Sequence, residues 1–188
     1  MNDITPLIPR QPVPALKVAL AGGGSFDLAR EQPKNFTMIV YYRGLHCPQC
    51  RKQLTDLEAK LGDFEKRGVS VVAISGDDAE RGERTKKEWS LPNLRVGYGL
   101  DMHTARAFGL WVSAGRGKTS AGIEEPALFN EPGLFLIRPD RTLYCASVQT
   151  MPFARPQFAD LLTALDFIIE KNYPARGDVP NLQAQAAE

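Results

Sequence analysis

The chain has 188 residues, of which 43% are hydrophobic and 24% charged, as is usual for a globular protein of one domain. Its 23 Lys and Arg against 22 Asp and Glu leave no basic surplus, so we expect no nucleic-acid partner. No stretch approaches the roughly 20 apolar residues that cross a bilayer, and no signal peptide is visible, so we expect no membrane contact and a reducing cytoplasm.

The first 42 residues predict an extended segment, a hairpin and a buried strand. Residues 1–14 are rich in proline and are expected to run extended over the surface. Residues 16–20 and 25–28 flank three consecutive glycines and predict a β-hairpin. Residues 35–42 are apolar, with β-branched and aromatic side chains, and this pattern is typical of a buried strand.

A Cys-Pro-Gln-Cys motif follows that strand and precedes a helix. After Cys50 the apolar residues recur at helical spacing, so Cys47 lies at or next to a helix N-terminus. The unpaired N–H groups and the helix dipole stabilise an anion there, and such motifs hold the pKa of a thiol well below its usual value. Pro48 suits the first helical turn because its missing N–H costs nothing there. The motif therefore predicts a redox-active dithiol, Cys47 and Cys50.

Two other interpretations of the motif stay open. Two cysteines could be half of a metal site, but zinc takes four ligands, and only Cys145, His46 and His103 remain as further Cys or His donors. The cysteines could also be a structural pair, although in the cytoplasm a catalytic role is more common. We expect His103 on a helix surface and Cys145 as a small packed residue of a strand.

Strands and helices alternate along the rest of the chain. After a first helix ending near Arg67 we expect the following elements: a strand over 69–74, a helix over about 78–89, a strand over 94–98, a short helix from 101 to about 108, a loop over 112–127, a hairpin over 134–137 and 143–148, and a helix over about 156–171. This order predicts a mixed sheet with helices on both faces. We expect a single domain over 1–188, with a core of about 12–172 and a mobile tail over about 174–188.

In this order of motifs the chain resembles the thioredoxin-fold superfamily, and within it the alkyl hydroperoxide reductase/thiol-specific antioxidant (peroxiredoxin-like) family. The resemblance covers roughly residues 12–172 and rests on four segments besides the active-site strand: 22–26, 71–77, 99–110 and 133–143. It implies an α/β, thioredoxin-like fold: a central mixed β-sheet flanked by helices, with an N-terminal β-hairpin extension.

The chain departs from the family pattern at the active site. Peroxiredoxins carry Pro-x-x-x-Thr-x-x-Cys, whereas this chain has Val40 and Gly44 at the proline and threonine positions, so the threonine hydroxyl is missing. No arginine is evident at the entry of the penultimate strand. Glu131 and Pro132 there resemble thioredoxin, in which a cis-proline faces the disulfide, although Tyr41 replaces thioredoxin's buried aspartate.

The resemblance implies a role for each site residue. Cys47 would be the exposed nucleophile, and Cys50, one turn into the helix, would be more buried and would close the disulfide. Arg43 and His46 are candidates to favour the thiolate or to hold an oxyanion, and Pro132 would lie beside Cys47 as a cis-proline. We therefore expect a thiol-dependent oxidoreductase that reduces peroxides, weakly, through a dithiol–disulfide cycle.

Two competing functions are kept. One is a thioredoxin-like disulfide reductase or electron carrier, which the Cys-x-x-Cys spacing favours. The other is a metal-binding or copper-delivery module, which would need a histidine beside the two thiolates. For the favoured function we expect a peroxide or disulfide substrate, a thioredoxin- or glutathione-type reductant, no cofactor, no bound metal, and a homodimer as a candidate assembly.

Overall fold

A computed structural model describes residues 4–181 of the chain. The strands within this range are β1 Lys17–Leu20, β2 Ser25–Asp27, β3 Phe36–Tyr41, β4 Val69–Ile74, β5 Val96–Tyr98, β6 Val112–Ala114, β7 Leu128–Asn130, β8 Gly133–Ile137 and β9 Leu143–Val148. The α-helices are α1 Pro48–Lys66, α2 Ala79–Glu88, α3 Met102–Ala107 and α4 Phe158–Glu170.

The main sheet has seven strands in the order β2-β1-β5-β4-β3-β8-β9. Strands β3, β4 and β5 are parallel, whereas β8 and β9 continue the sheet antiparallel on one side and the β1–β2 hairpin on the other. This arrangement confirms the predicted thioredoxin-like fold, with a central mixed sheet, flanking helices and an N-terminal hairpin.

Strand β3 is the centre of the molecule, and all six of its residues are buried. Its side chains alternate between two apolar clusters: Met38 and Val40 belong to the cluster under α1 and α4, and Ile39 and Tyr41 to the cluster on the opposite face. Such a strand, buried on both faces, reads as a continuous apolar run. It fixes the loop that follows Tyr41 at the start of α1.

Helix α1 buries one stripe of side chains, and Cys50 is part of that stripe. Cys50, Leu54, Leu57 and Phe64 are fully buried against the sheet and α4. Burial of a large apolar side chain contributes about 1.5–3 kcal/mol, so this face holds the first turn of the helix firmly. Cys50 is therefore placed by the hydrophobic core itself.

The segment 112–127, predicted as a loop, begins with a strand. Strand β6 pairs antiparallel with β7, so Val112 lies opposite Asn130 and Ala114 opposite Leu128. The pairing joins two short strands across an intervening polar segment, and three-residue strands carry too little periodicity to be recognised in the sequence. The prediction of a loop over the whole segment was wrong at its N-terminal end.

Part of the predicted C-terminal tail lies against the domain. Ala175 is buried, and the Asp178 carboxylate accepts a hydrogen bond from Arg10 Nη1 at 2.7 Å. Residues 182–188, the end of the predicted tail, lie outside the described residues. Mobility of the tail stays a prediction, as does the single-domain organisation of residues 1–188.

Candidate active site

The loop between β3 and α1 is held by Asp77, which lies three residues after the neighbouring strand β4. The Leu45 N–H donates to Asp77 Oδ2 at 2.7 Å, and both residues are buried. Gly44 takes a φ of +134°, a conformation that glycine adopts readily. Its carbonyl then accepts the Cys47 N–H at 3.1 Å. These contacts fix the position from which α1 starts.

Cys47 is the N-cap residue of α1. Its Sγ accepts the N–H of Cys50 at 3.3 Å, and Pro48 occupies the first turn, as the sequence predicted. A sulfur in the N-cap position receives backbone donors and the positive end of the helix dipole. Both cysteines are free thiols here, one helical turn apart.

Neither sulfur is freely exposed. The Cys47 residue is 1% exposed and Cys50 is fully buried, so the expectation of an exposed Cys47 was wrong. Both cysteines belong to the apolar cluster under α1 and α4, and the Arg155 guanidinium, from the segment before α4, lies against both sulfurs. Cys50 is still the more buried of the two, as expected, although the exposed fractions differ by only 1%.

The two thiols have opposite pKa shifts. The hydrogen bond from the Cys50 thiol is the main cause that lowers the pKa of Cys47 to about 6, and it outweighs the effect of burial. The Cys50 N–H and the charges of Arg155 and Arg43 act in the same direction. Burial raises the pKa of Cys50 well above its usual value. At neutral pH Cys47 is therefore a thiolate that receives a hydrogen bond from the Cys50 thiol.

Arg155 is a site residue that the sequence analysis missed. Its Nη2 lies 3.2 Å from Cys50 Sγ and 3.8 Å from Cys47 Sγ. The guanidinium is held in place because Nε donates to the Pro152 carbonyl at 2.7 Å and Nη1 donates to Gln53. Arg155 is 105 residues from Cys50 in an irregular segment, and no local pattern marks it.

Arg43 contacts the dithiol through its backbone. Its N–H donates to Cys50 Sγ at 3.3 Å. The guanidinium instead forms ion pairs with Glu131 at 3.3 Å and Glu125 at 3.5 Å, and lies 4.7 Å from the centre of the Phe129 ring. Its positive charge contributes to the lowered pKa of Cys47 less than the charge of Arg155 does.

His46 is buried and uncharged at neutral pH. Burial, with a further contribution from the Arg43 charge, lowers the pKa of His46 to about 4. Neither ring nitrogen has a hydrogen-bond partner among residues 4–181, and the ring packs edge-on against Phe129 with 4.7 Å between centroids. His46 cannot favour the thiolate by charge, which corrects one of the two roles considered for it.

Pro132 follows a trans peptide bond, since residues 4–181 contain no cis bond. The expected cis-proline was therefore wrong. The backbone here is extended: the Glu131 N–H donates to the Trp111 carbonyl at 2.7 Å, and the Pro132 carbonyl accepts the Gln149 N–H at 3.0 Å, which continues the pairing of β8 with β9. The trans form satisfies these bonds and is the intrinsically preferred isomer.

The remaining candidates lie away from the dithiol. Cys145 is in β9, opposite Leu136, and burial raises its pKa to about 11. Among residues 4–181, no three His, Cys, Asp or Glu side chains converge in a way that could hold a metal ion. The donor set expected for a metal module is therefore not assembled in this part of the chain.

The fold and the Cys-x-x-Cys pair at the start of α1 define a thioredoxin-fold dithiol protein. The sequence of residues 9–145 matches the AhpC/TSA family, and the chain belongs to this family. A Mycobacterium tuberculosis protein, provisionally named a peroxiredoxin, is 33% identical over 81 residues, which are 43% of this chain and 51% of the relative. The match thus spans about half the length of that relative.

Solved structures show the same fold at low sequence identity. The peroxidoxin BcpB of Mycobacterium tuberculosis is 18% identical, with a TM-score of 0.67 over 86% of this chain and 98% of the other. A cysteine variant of peroxiredoxin 6 from Arenicola marina is 17% identical, with a TM-score of 0.72 over 88% of this chain and 75% of the other. Peroxiredoxins of this family are thiol peroxidases.

Proposed function

We propose that the protein is a thiol peroxidase that reduces a small peroxide through a cycle between the Cys47/Cys50 dithiol and its disulfide. The observation that carries the proposal is the Cys47 sulfur at the N-cap of α1, with a pKa lowered to about 6 chiefly by the Cys50 thiol. A thiolate is the reactive form of cysteine, and here it is available at neutral pH. Family membership supports the same activity.

The proposed reaction has two chemical steps. The Cys47 thiolate attacks one peroxide oxygen, the O–O bond breaks, and the other oxygen leaves as water or an alcohol after taking a proton from solvent. Cys47 is then a sulfenic acid. The Cys50 sulfur attacks the Cys47 sulfur, the S–O bond breaks, and water leaves with the thiol proton. Two electrons from an external thiol reductant then restore the dithiol.

The burial of both sulfurs favours a small oxidant. Cys47 is 1% exposed and Arg155 lies against its sulfur, so we propose that displacement of the Arg155 side chain admits a peroxide. A disulfide in a folded protein is bulkier than a peroxide and would need a wider opening to reach the same sulfur. We therefore propose that the protein reduces peroxides faster than it reduces protein disulfides.

A disulfide reductase is the second candidate, and one observation supports it. The low pKa of Cys47 and the raised pKa of Cys50 give an attacking thiolate next to a protonated resolving thiol, as thiol–disulfide exchange requires. In either function we expect a reducing compartment such as the cytoplasm, where the pair can turn over. Within residues 4–181, no helix is long and apolar enough to cross a membrane. A homodimer stays a prediction.

Paired assays test the proposal. Peroxide consumption and insulin reduction are measured with the same protein, with dithiothreitol as electron source. We expect Cys47→Ser to abolish peroxide turnover. Cys50→Ser, reduced and then freed of dithiothreitol, should reduce one equivalent of peroxide and leave a trapped sulfenic acid at Cys47, because dithiothreitol would otherwise reduce that acid directly. Mass spectrometry of the oxidised wild type should place the disulfide within one peptide that carries both cysteines. Absence of the trapped sulfenic acid in Cys50→Ser, or a bridge that includes Cys145 in the wild type, would contradict the proposal.

A further inference from the structure

A groove of about 350 Å³ lies beside the dithiol, between α1 and the segment that leads into α4. One wall is a single face of α1, and the other runs from Pro152 to the first turn of α4. Arg155 lines the groove and also contacts both sulfurs, so the groove ends one side chain away from the reacting atoms. Its volume is within the range of about 300–1,000 Å³ that is typical of small-molecule sites.

The groove carries an excess of positive charge that the described residues do not neutralise. Lys60 is paired with Asp56, but Lys52 is exposed and forms no ion pair within residues 4–181. Arg155 has no carboxylate partner in that range either: its donors go to Gln53, the Pro152 carbonyl and the sulfurs. Lys52 and Arg155 are thus two cations that could pair with the negative charges of a ligand bound in the groove.

A second cavity, which Arg43 lines, carries no such excess. Its charged side chains are two arginines, Arg43 and Arg116, and two glutamates, Glu125 and Glu131, and Arg43 is ion-paired with both glutamates. An anion is therefore favoured by the groove of Lys52 over the cavity of Arg43.

We propose that the groove of Lys52 and Arg155 binds the reductant, and that this reductant is a small thiol bearing carboxylates, of the glutathione type. This inference rests on the proposed dithiol–disulfide cycle and names its electron donor. Exposed Phe153 offers an apolar wall for the body of such a molecule, and Gln49 and Gln53 offer amide groups to its peptide bonds. A protein reductant would have to displace this whole wall to reach a buried sulfur.

The reduction is balanced with two molecules of the thiol. The first thiolate attacks one sulfur of the Cys47–Cys50 disulfide, so the S–S bond breaks, a mixed disulfide forms, and the leaving cysteine takes a proton from solvent. The second thiolate attacks the sulfur of the bound reductant, which leaves as the oxidised dimer and restores the dithiol. Disulfide formation removes the thiolate charge that Arg155 contacts, so in the oxidised protein the guanidinium is free to bind a carboxylate.

A binding measurement tests the inference independently of turnover. S-methylglutathione keeps both carboxylates but cannot exchange disulfides, and is titrated by NMR into the oxidised protein. We expect saturable binding that Lys52→Glu weakens about fivefold to tenfold, since one exposed attraction becomes a repulsion. Arg51→Glu is the matched control: Arg51 is the adjacent, exposed α1 residue, carries the same charge and does not line the groove. This variant should bind within about twofold of the wild type.

Steady-state kinetics supply the second measurement. With hydrogen peroxide as oxidant, Lys52→Glu should raise the KM for glutathione by the same factor while the KM for peroxide stays unchanged. With dithiothreitol, which has no carboxylate, the KM for the reductant should differ between Lys52→Glu and Arg51→Glu much less than it does with glutathione. Equal KM values for glutathione in Lys52→Glu and Arg51→Glu, or turnover with dithiothreitol and a thioredoxin but none with glutathione, would overturn the inference. Absence of turnover with dithiothreitol would instead contradict the proposed function, whatever S-methylglutathione does.

Discussion

A Cβ atom on residue 44 would lie 2.7 Å from Oδ1 of Asp77, so Gly44 and Asp77 occupy adjoining space that admits no larger side chain. The same Asp77 carboxylate accepts the N–H of Leu45 through Oδ2, at 2.7 Å. Residue 44 is the position at which peroxiredoxins have the threonine that contacts peroxide. In this chain the Asp77 carboxylate occupies the space that a side chain on residue 44 would need. The loop therefore leaves no room for a threonine hydroxyl at this position.

Substitution of Gly44 should destabilise the fold. Gly44→Ala combines a φ of +134° with a contact at 2.7 Å, and we expect the free energy of unfolding to fall by roughly 2–5 kcal/mol. Gly62→Ala is the matched control, because Gly62 is within α1 and a Cβ there meets nothing within 4 Å. It should stabilise by about 0.5–1 kcal/mol. Urea denaturation compares the two, and equal midpoints would refute the steric argument.

The acidity of Cys47 should depend chiefly on Cys50. We expect the rate of alkylation of Cys47 by iodoacetamide to rise with a midpoint near the pKa of about 6. Cys50→Ala removes the thiol donor and should move the midpoint to higher pH, whereas Cys50→Ser keeps a hydroxyl donor and should stay closer to the wild type. If all three proteins share one midpoint, the Cys50 hydrogen bond is not the cause.

The same shift has a consequence for stability. The pKa of Cys47 is lower in the folded protein, about 6 against an ordinary value of 9.0, so folding favours the thiolate. Its contribution is fully present above the unfolded value and is lost as the pH falls through about 6. We expect the difference in unfolding free energy between the reduced wild type and Cys47→Ser to grow from pH 6 to pH 8, measured by urea denaturation. If this difference in unfolding free energy became smaller between pH 6 and pH 8, the pKa of Cys47 would not be lowered by folding.

Local patterns in the sequence were enough to predict the dithiol and its setting. The apolar run of β3, the helical spacing of Leu54 and Leu57, and Pro48 in the first turn all lie within some 20 residues of the cysteines. These features depend on neighbours in the chain, which periodicity reports well. The start of α1, predicted at or next to Cys47, lies at Pro48 with Cys47 as the N-cap residue.

The covering of the dithiol could not be predicted, because it depends on contacts between distant segments. Arg155 is in an irregular stretch and meets Cys50 across 105 positions. The resemblance to thioredoxin led to an exposed Cys47 and a cis Pro132, and both were wrong: Cys47 is 1% exposed, and residues 4–181 contain no cis bond. The sequence has no arginine at the entry of β8, and it did not indicate that Arg155, from another segment, contacts the sulfurs.

Arg43 should contribute mainly to stability. The Arg43 side chain is 15% exposed and pairs with Glu131, whose side chain is 4% exposed. Arg43→Met leaves that carboxylate buried, with the Ser113 hydroxyl as its remaining donor, and should cost roughly 3 kcal/mol in urea denaturation. Arg43→Met with Glu131→Gln should recover part of the loss. Arg84→Met breaks an exposed pair with Glu88 and should cost no more than about 0.5 kcal/mol; equal losses would refute the buried-pair argument.

Peroxide reduction should be slower than in peroxiredoxins that carry the threonine. The loss of one preorganised donor to a transition state typically costs about 10²–10³ in rate. Gly44 has no side chain to donate, so backbone N–H groups and Arg155 are left near Cys47. We expect a second-order rate with hydrogen peroxide well below about 10⁷ M⁻¹s⁻¹, toward the slower part of the usual range of enzyme efficiencies. Stopped-flow measurement at or above that value would contradict this prediction.

Arg155 should be needed for fast attack, although it lies outside the family's motif. Its charge lowers the pKa of Cys47 and its Nη2 is the side-chain donor 3.8 Å from that sulfur. Arg155→Met should raise the alkylation midpoint and slow the reaction with hydrogen peroxide about tenfold to a hundredfold, because thiolate and donor are both lost. Arg155→Lys keeps the positive charge but lacks the planar guanidinium that Gln53 and Pro152 hold in place. We therefore expect this variant to restore the alkylation midpoint more fully than the rate with hydrogen peroxide. Arg51→Met, an exposed arginine on the same helix turn as Cys50, is the control and should change neither. If Arg155→Met reaches the wild-type rate at a pH above both midpoints, where Cys47 is a thiolate in both proteins, Arg155 sets only the acidity of Cys47 and donates nothing to the peroxide.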